Sequence, residues 1–504
     1  MDHHGLKKNT FYRRHTPEDT LLYQTVVANL ESFIHERDLE GRGLPLHVIK
    51  ELHAYLKCGI LNHGFMRVKC DSCDFEGAVA FSCKKRGICP SCCGKRMSET
   101  ADHLMEEVLA DHGYRQYVLS LPVALRFWCA TNKKLLSGVH SIVKKELIRY
   151  FEHRASSLDI KDPLPGGISF IQRSGSALNL NVHFHILCLD GVYHPPKASE
   201  GNPKFIDFSP PSDEDICDLV EKISKKIIQH LRRKGYLDES GCECEFPPFD
   251  EVFSEHPDYT GAISASVNGR IAFGKNAGKK VRRIGSSFGY EGEIALVKGV
   301  KCATINGFSL HGATFTKRFQ RQKLERLVKY ISRPPVAISR LSHHPSGNGD
   351  LIYTLKNKWH DGTTAIRLSP MELMEKLAAI IPPPRSHLVR HWGVFGSHSK
   401  WRSKVVLKPE KRKGFAPDGG YDPKKVKNTR WARLLAKTFG VDVSVCPECG
   451  AEMSIVAVVH DQREISRYLN HIGLSEHPPP LASARYVQGE FDYSQDFDGS
   501  GDYS

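Results

Sequence analysis

The clearest hydrophobic–polar pattern in the chain is the strict alternation between Asn179 and Gly191, "NLNVHFHILCLDG". Leu180, Val182, Phe184, Ile186 and Cys188 take every second position. A period of two predicts a β-strand whose alternate side chains share a face. One face is apolar throughout. The other carries Asn181, His183, His185, Leu187 and Leu189, so two imidazoles project the same way from a strand that otherwise reads as buried. "YVLSLP" and "ISFIQ" have the same extended, β-rich character and predict companion strands.

Helical spacing takes over elsewhere. "SDEDICDLVEKISKKIIQHLRRKG", residues 212–235, is amphipathic throughout, and "SETADHLMEEVLADH" predicts another helix. In "QRQKLERLVKYISRPPVAISRL", Leu324, Leu327, Val328 and Ile331 fall at i, i+3, i+4 and i+7. Pro334 and Pro335 end that helix, and Arg333 before them is pushed out of helical geometry. Tyr330 stands in the last turn, on the side of Lys323 and Arg326, with Arg333 and Arg340 following. Around residues 240–300 the chain is Gly-rich and shows no firm period. Strands and helices of this kind predict an α+β fold, a mainly antiparallel sheet with helices on its back.

Composition narrows the class. At 504 residues, 40% hydrophobic and 25% charged, the chain is of globular type and long enough for two or three domains. No run reaches the roughly 18 apolar residues of a membrane helix, and "MDHHGLKKNTFYRRHTPEDT" has no apolar signal-peptide core. A cytoplasmic protein is expected, in which the 15 cysteines are not disulfides. The net charge of +14 favours a polyanionic partner, nucleic acid before membrane. "GKNAGKKVRR" and "KWRSKVVLKPEKRKG" concentrate that charge, although each reads equally as a solvated face or linker. "GRIAFGKN" resembles a phosphate loop but has Asn276 where Ser or Thr would meet magnesium.

Seven cysteines crowd between Cys58 and Cys93. Cys70-x-x-Cys73 and Cys89-x-x-Cys92, fifteen residues apart, have the spacing to close a tetrahedral thiolate site on zinc. Four thiolates leave no open position, so the zinc is structural. Cys58, His63, Cys83 and Cys93 are left to form a second site or to replace one of these four. Lys69, Lys84, Lys85, Arg86, Lys95 and Arg96 would give such a ribbon a DNA-holding surface. A later "CPECG", Cys446 and Cys449, is half a knuckle with no cysteine after it, and reads as a turn or a vestige.

Two readings stay open for the paired imidazoles: each satisfied by a nearby carbonyl, or both ligating a metal. Tyr330 is likewise either an amphipathic residue at the core edge, which spacing alone favours, or a nucleophile whose charged form is favoured by cations or a metal. Attack by a tyrosine on a phosphodiester keeps the bond energy and needs no ATP. "WHDGTTAIRL" offers Trp359, His360 and Arg367 for base stacking, but a hairpin at Asp361-Gly362 with Trp359 in the core is the preferred reading.

Histidine–hydrophobe–histidine on a strand, followed by tyrosine on a basic helix, resembles the HUH nucleases. More closely, the chain resembles the rolling-circle transposases of the family of insertion sequence ninety-one. The blocks that carry the resemblance include "CGILNHGFMRVKCDSC", "FSCKKRGICPSC", "YVLSLPVALR", "FIQRSGSALNLNVHFHILCLDGVY", "GFSLHGA", "YISRPPVAISRL", "WHDGTTAIRLSPMELMEKLAAIIPPPRSHLVRHWGVF" and "CPECG". The resemblance implies a loose N-terminus (1–19), a zinc-binding domain (20–105), an HUH catalytic domain (110–400), a basic linker (401–430), a small module around "CPECG" (431–480) and an acidic, disordered tail (481–504). It implies that His183 and His185 bind a divalent cation, that Tyr330 is the nucleophile, and that Cys70, Cys73, Cys89 and Cys92 hold zinc.

Some relatives carry two tyrosines four residues apart. Here Arg326 and Pro334 take the flanking positions, leaving only Tyr330. Strand transfer would then reuse one tyrosine, or draw on the free 3′-hydroxyl or a second subunit. The expected cofactors are structural Zn²⁺ and catalytic Mg²⁺ or Mn²⁺. The third ligand is not fixed: Gln172, on the neighbouring strand, is favoured over His311. Lys323, Arg326, Arg333 and Arg340 are the expected DNA contacts, and the expected partners are single-stranded or hairpin DNA, target DNA and a further copy of the chain, with no membrane. The alternatives are a plasmid replication initiator or relaxase with the same chemistry, and a zinc-dependent DNA-binding protein without catalysis.

Overall fold

In the computed structural model, the strand that carries the two histidines lies inside the main sheet. The structure describes residues 16–38, 43–196, 201–240, 243, 255–285, 300–406, 446 and 448–485. Most of the basic linker and of the acidic tail expected from the sequence lies outside the described residues, as does the start of the chain.

In chain order the elements that matter are as follows. Helices α1 (Leu21–Asp38) and α2 (Leu46–Leu56) precede a hairpin of β1 (Phe65–Cys70) and β2 (Glu76–Ala80), then α3 (Pro90–Glu107). The segment that follows contributes β3 (Tyr114–Ser120), α4 (Val123–Thr131), α5 (Lys133–Ser156), β4 (Gly166–Ser174), β5 (Leu180–Leu189), α6 (Asp213–Arg233) and α7 (Pro257–Val267). It continues with β6 (Cys302–Ile305), β7 (Phe308–His311), α8 (Arg321–Ile331), α9 (Pro370–Ile380) and β8 (Val389–Gly393). Last come β9 (Met453–Val459) and α10 (Gln462–His471).

The main sheet runs β8-β4-β5-β3-β7-β6, with a two-residue strand, Phe315–Thr316, also pairing β3. Every pairing in it is antiparallel. The three strands expected to be neighbours are neighbours, with β5 in the centre. The apolar face of β5 (Val182, Phe184, Ile186, Cys188) is buried in the larger core together with α4 to α7. Helix α6 has the capping box that its sequence offers: the Ser212 hydroxyl accepts from the Asp215 amide, and the Asp215 carboxylate accepts from the Ser212 amide.

The face with the histidines is covered differently. Leu187 and Leu189 of β5, with Ile168 and Phe170 of β4, pack under Leu324, Leu327, Val328 and Ile331 of α8 and under Ala101 and Leu104 of α3. Helix α8 therefore packs on the sheet and against the helix that leaves the cysteine-rich region. At one side Arg115, fully buried, makes a two-pronged ion pair with Asp190 (2.9 and 2.8 Å) and donates to the Gly312 carbonyl (2.9 Å).

The C-terminal segment belongs to the N-terminal ribbon. Strand β9 pairs antiparallel with β1, giving a three-stranded sheet β9-β1-β2. Leu61, Phe65, Val459, Ile465 and Leu469 form a small core beneath it. The module around "CPECG" is thus not a separate unit among the described residues. Its register, Phe65 opposite Val459 and Cys70 opposite Met453, depends on contacts some 380 residues apart that no local pattern encodes.

Candidate active site and cysteine quartets

The register of the sheet assembles the site. His183 lies opposite Ser120 on β3 and Gln172 on β4, while His185 lies opposite Val118 and Phe170. Directly paired residues share a face, so Gln172 and both imidazoles look toward α8. The two Nε2 atoms are 3.2 Å apart. Ligands cis to one another on a six-coordinate ion with bonds of ~2.1 Å would be about 3.0 Å apart, so the pair fits one hard divalent cation.

Hydrogen bonds fix both rings. His183 Nδ1–H donates to the Asn181 carbonyl at 2.8 Å, which leaves the Nε2 lone pair free. His185 Nδ1 is 2.5 Å from the side-chain amide of Gln116 on β3. Gln116 was not among the expected site residues. The signal was there, since Gln116, Val118 and Ser120 alternate on one face of "RQYVLSLP", but it shows only once β3 is known to flank β5. Burial pushes the pKa of His183 down; burial, then His183 and Arg333, push that of His185 down to about 3. Both rings are neutral near pH 7, the state that can ligate a metal.

The structure brings Tyr330 to this pair. Its ring meets that of His185 edge-on, 6.2 Å between centroids. At 40% exposure it is open to solvent rather than turned into the core. Two cations flank it: the Arg333 guanidinium lies 4.7 Å from the ring centroid and the Lys356 ammonium 4.2 Å. Lys356, which follows a strand of the small sheet Leu351–Thr354, is a further site residue that linear spacing could not reveal.

The other expected residues divide. The Gln172 side-chain nitrogen donates to the Ile331 carbonyl at the end of α8, tying the tyrosine helix to the sheet and leaving Oε1 as its remaining acceptor. His311 shares the row of His185 but is separated from it by Val118. Lys323 and Arg326 are exposed on α8, with the Lys323 ammonium 5.5 Å from the Phe315 ring centroid. Arg340 is turned inward instead, donating to the carbonyls of Thr354 and Ser176, both at 2.6 Å. Trp359 packs partly buried against the core and donates to the Ser176 hydroxyl, while Arg367 pairs with Asp350.

Two hollows that share lining residues lie at this end of α8, and Tyr330 lines one of them. One, of about 290 Å³, is lined by Gln172, Ser174, Tyr330, Arg333, Arg340 and Lys356 among others. The second, of about 330 Å³, shares Gln172, Ser174 and Arg333 and runs on to Arg86 and Arg96 of the cysteine-rich region. No carboxylate lines either among the described residues. Apolar walls with cations and no acidic group suit a nucleic-acid strand.

The cysteines correct the expected grouping. Cys70 and Cys73 do not share a site with Cys89 and Cys92. Cys89 and Cys92 close with Cys58 and Cys83, whereas Cys70 and Cys73 close with Cys446 and Cys449. The reason is topological. Cys70 ends β1 and Cys73 lies in the turn beyond it, while Cys89 caps α3. His63 and Cys93 join neither quartet. In each quartet the four sulfurs lie within 4.8 Å of one another. Sulfur–sulfur separations are 3.6 Å (Cys58–Cys92), 3.6 Å (Cys58–Cys89) and 3.5 Å (Cys83–Cys92) in the first. The edge of a ZnS₄ tetrahedron with ~2.3 Å bonds is about 3.8 Å, and a disulfide would need ~2.05 Å. The quartets fit zinc.

Comparison with known proteins agrees with that chemistry. A family model for a transposase matches residues 166–402, the span containing both histidines and Tyr330. A family model for a transposase zinc-binding domain matches residues 28–121. The matches support a transposase role, that of a DNA-binding, DNA-cutting enzyme, with a zinc-binding domain in front of the transposase domain. The chain thus carries a transposase domain preceded by a zinc-binding domain of the kind named for the insertion-sequence-ninety-one transposases. No curated protein and no solved structure matches it. None of the described helices is long and apolar enough to cross a membrane.

Proposed function

We propose that this transposase cuts and rejoins single DNA strands through a covalent phosphotyrosine, as in rolling-circle transposition. The observation that carries the reading is the edge-on approach of Tyr330 to His185, with 6.2 Å between ring centroids, in a cation-lined cleft. His183 Nε2, His185 Nε2 and the free Oε1 of Gln172 are the proposed ligands. A divalent cation there, Mg²⁺ or Mn²⁺, would polarise the scissile phosphate.

The chain's own residues do the rest. Arg333 and Lys356, which lie over the Tyr330 ring, hold the phosphate, while the hollow toward Arg86 and Arg96 takes the adjoining strand. The Tyr330 oxygen forms a bond to phosphorus as the bond to the 3′-oxygen breaks. The phenol proton is lost and the leaving oxygen gains one, giving a 5′-phosphotyrosine and a free 3′-hydroxyl. Rejoining is the reverse reaction with another 3′-hydroxyl. With one tyrosine on α8, the second cut reuses Tyr330, is replaced by attack of the free 3′-hydroxyl, or is made by a second copy of the chain. A replication initiator or relaxase would share the strand chemistry, but the match to a transposase zinc-binding domain favours transposition.

The test is incubation with Mn²⁺ and a single-stranded oligonucleotide from an end of the element, followed by denaturing electrophoresis. Wild type should give a covalent adduct and Tyr330→Phe none. Adduct from Tyr330→Phe would place the nucleophile elsewhere. No adduct from wild type with either metal would remove the enzymatic reading in favour of a zinc-dependent DNA-binding protein.

A further inference from the structure

We infer that Cys70, Cys73, Cys446 and Cys449 form a second zinc site, independent of the first, that clasps the C-terminal segment to the N-terminal ribbon. Cys446 and Cys449 lie outside both family matches, which end at residues 121 and 402. The sulfurs of Cys70 and Cys449 are 3.5 Å apart, as are those of Cys73 and Cys446, although each pair is separated by more than 370 residues. These separations again approach a tetrahedral edge and exclude disulfides.

The local backbone is shaped for the task. Cys446 N–H donates to the Ala451 carbonyl and Gly450 N–H to the Cys446 carbonyl, closing the turn between the two thiols. Gly450 has φ +75°, which a side chain would strain. On the opposite knuckle the Ser72 amide points at the Cys70 sulfur, 3.4 Å away, a contact that favours the thiolate. Because β1 and β9 are paired with Cys70 opposite Met453, the two knuckles emerge side by side.

The segment needs such a staple. Its apolar contact with the ribbon is the small core of Leu61, Phe65, Val459, Ile465 and Leu469, of a size that small modules supplement with metal. An all-thiolate tetrahedron selects zinc over harder ions and leaves no position open for substrate. On binding, four thiols release their protons to solvent. The two sites also differ in exposure: Cys449 is open to solvent, whereas Cys58, Cys89 and Cys92 are buried.

Zinc content of the full-length protein, purified under reducing conditions, tests this without DNA or activity. Wild type should hold two zinc ions per chain and Cys446→Ser/Cys449→Ser one, with hydrogen exchange rising in Met453–Val459 but not in Leu180–Leu189. Wild type needs no mutation for the second measurement. Limited chelation should release one zinc first and make Cys70, Cys73, Cys446 and Cys449 alkylatable as a set. One zinc in wild type, two retained in the double variant, or early alkylation of Cys58, Cys83, Cys89 and Cys92 would overturn the inference.

Discussion

Replacing Gln116 by leucine should loosen the cation site while leaving its proposed ligands unaltered. As placed, the Gln116 amide donates to His185 Nδ1, His185 Nε2–H then faces His183 Nε2, and His183 Nδ1–H donates to the Asn181 carbonyl. For both Nε2 atoms to offer lone pairs to one ion, His185 must carry its proton on Nδ1. The carboxamide meets that demand by turning over so that its oxygen accepts. Leucine has the right bulk for a site only 3% exposed but cannot accept. His185 would lose its orienting partner and its preferred tautomer. Loss of such an outer partner weakens metal binding about 10–100-fold, or roughly 1.4–2.7 kcal/mol. Mn²⁺ binding followed by electron paramagnetic resonance, in a Tyr330→Phe background so that nothing turns over, measures this directly. Gln116→Glu, which only accepts at neutral pH, should bind at least as tightly as wild type. A leucine variant with a dissociation constant within about twofold of wild type, against the expected tenfold or more, would refute the assignment.

Other outcomes follow from burial. His140 is 6% exposed, and burial first, then Arg390 and Lys144, lowers its pKa to about 3. A folded pKa below the unfolded value of ~6.5 means that the unfolded chain takes up the proton first, so stability falls as pH drops through 6.5 toward 3. Between pH 7 and pH 5 wild type should lose about 2 kcal/mol more than His140→Phe, read from urea midpoints; equal losses would contradict it. Asp190→Ala strands the fully buried Arg115 guanidinium and should cost about 3–5 kcal/mol, measured by the same denaturation. A change under ~1 kcal/mol would mean that the pair is hydrated in solution.

The parts of the molecule that could be read along the chain are those written in local periodicity. Strand β5 declared itself because one face is wholly apolar and must be buried, which also fixed the direction of both histidines. Helix α8 declared itself through Leu324, Leu327, Val328 and Ile331 and its terminal prolines, and the same stripe placed Tyr330 off the buried side. What stayed hidden depends on contacts between distant segments. Two CxxC pairs fifteen residues apart satisfy the arithmetic of one zinc site, and nothing in spacing says that β1 and α3 carry them apart. Cys446 and Cys449 looked idle because their partners stand at the other end of the chain. Gln116 and Lys356 are ordinary polar residues until strand order and the turn after Thr354 set them beside His185 and Tyr330. Arg340 shows a further limit: its place beside the tyrosine could be read along the chain, but not that its guanidinium also donates to the carbonyls of Thr354 and Ser176.

The seating of α8 has a mechanical consequence. Its apolar stripe packs in one cluster with Ile168, Phe170 and Leu187 of the sheet and with Ala101 and Leu104 of α3, and its last turn is tied to the sheet through Gln172. On the proposed mechanism the phenol is then mounted like an anvil: successive strand ends would have to be delivered to a fixed striking point, and the order of cutting and joining would be governed by how the DNA is fed through.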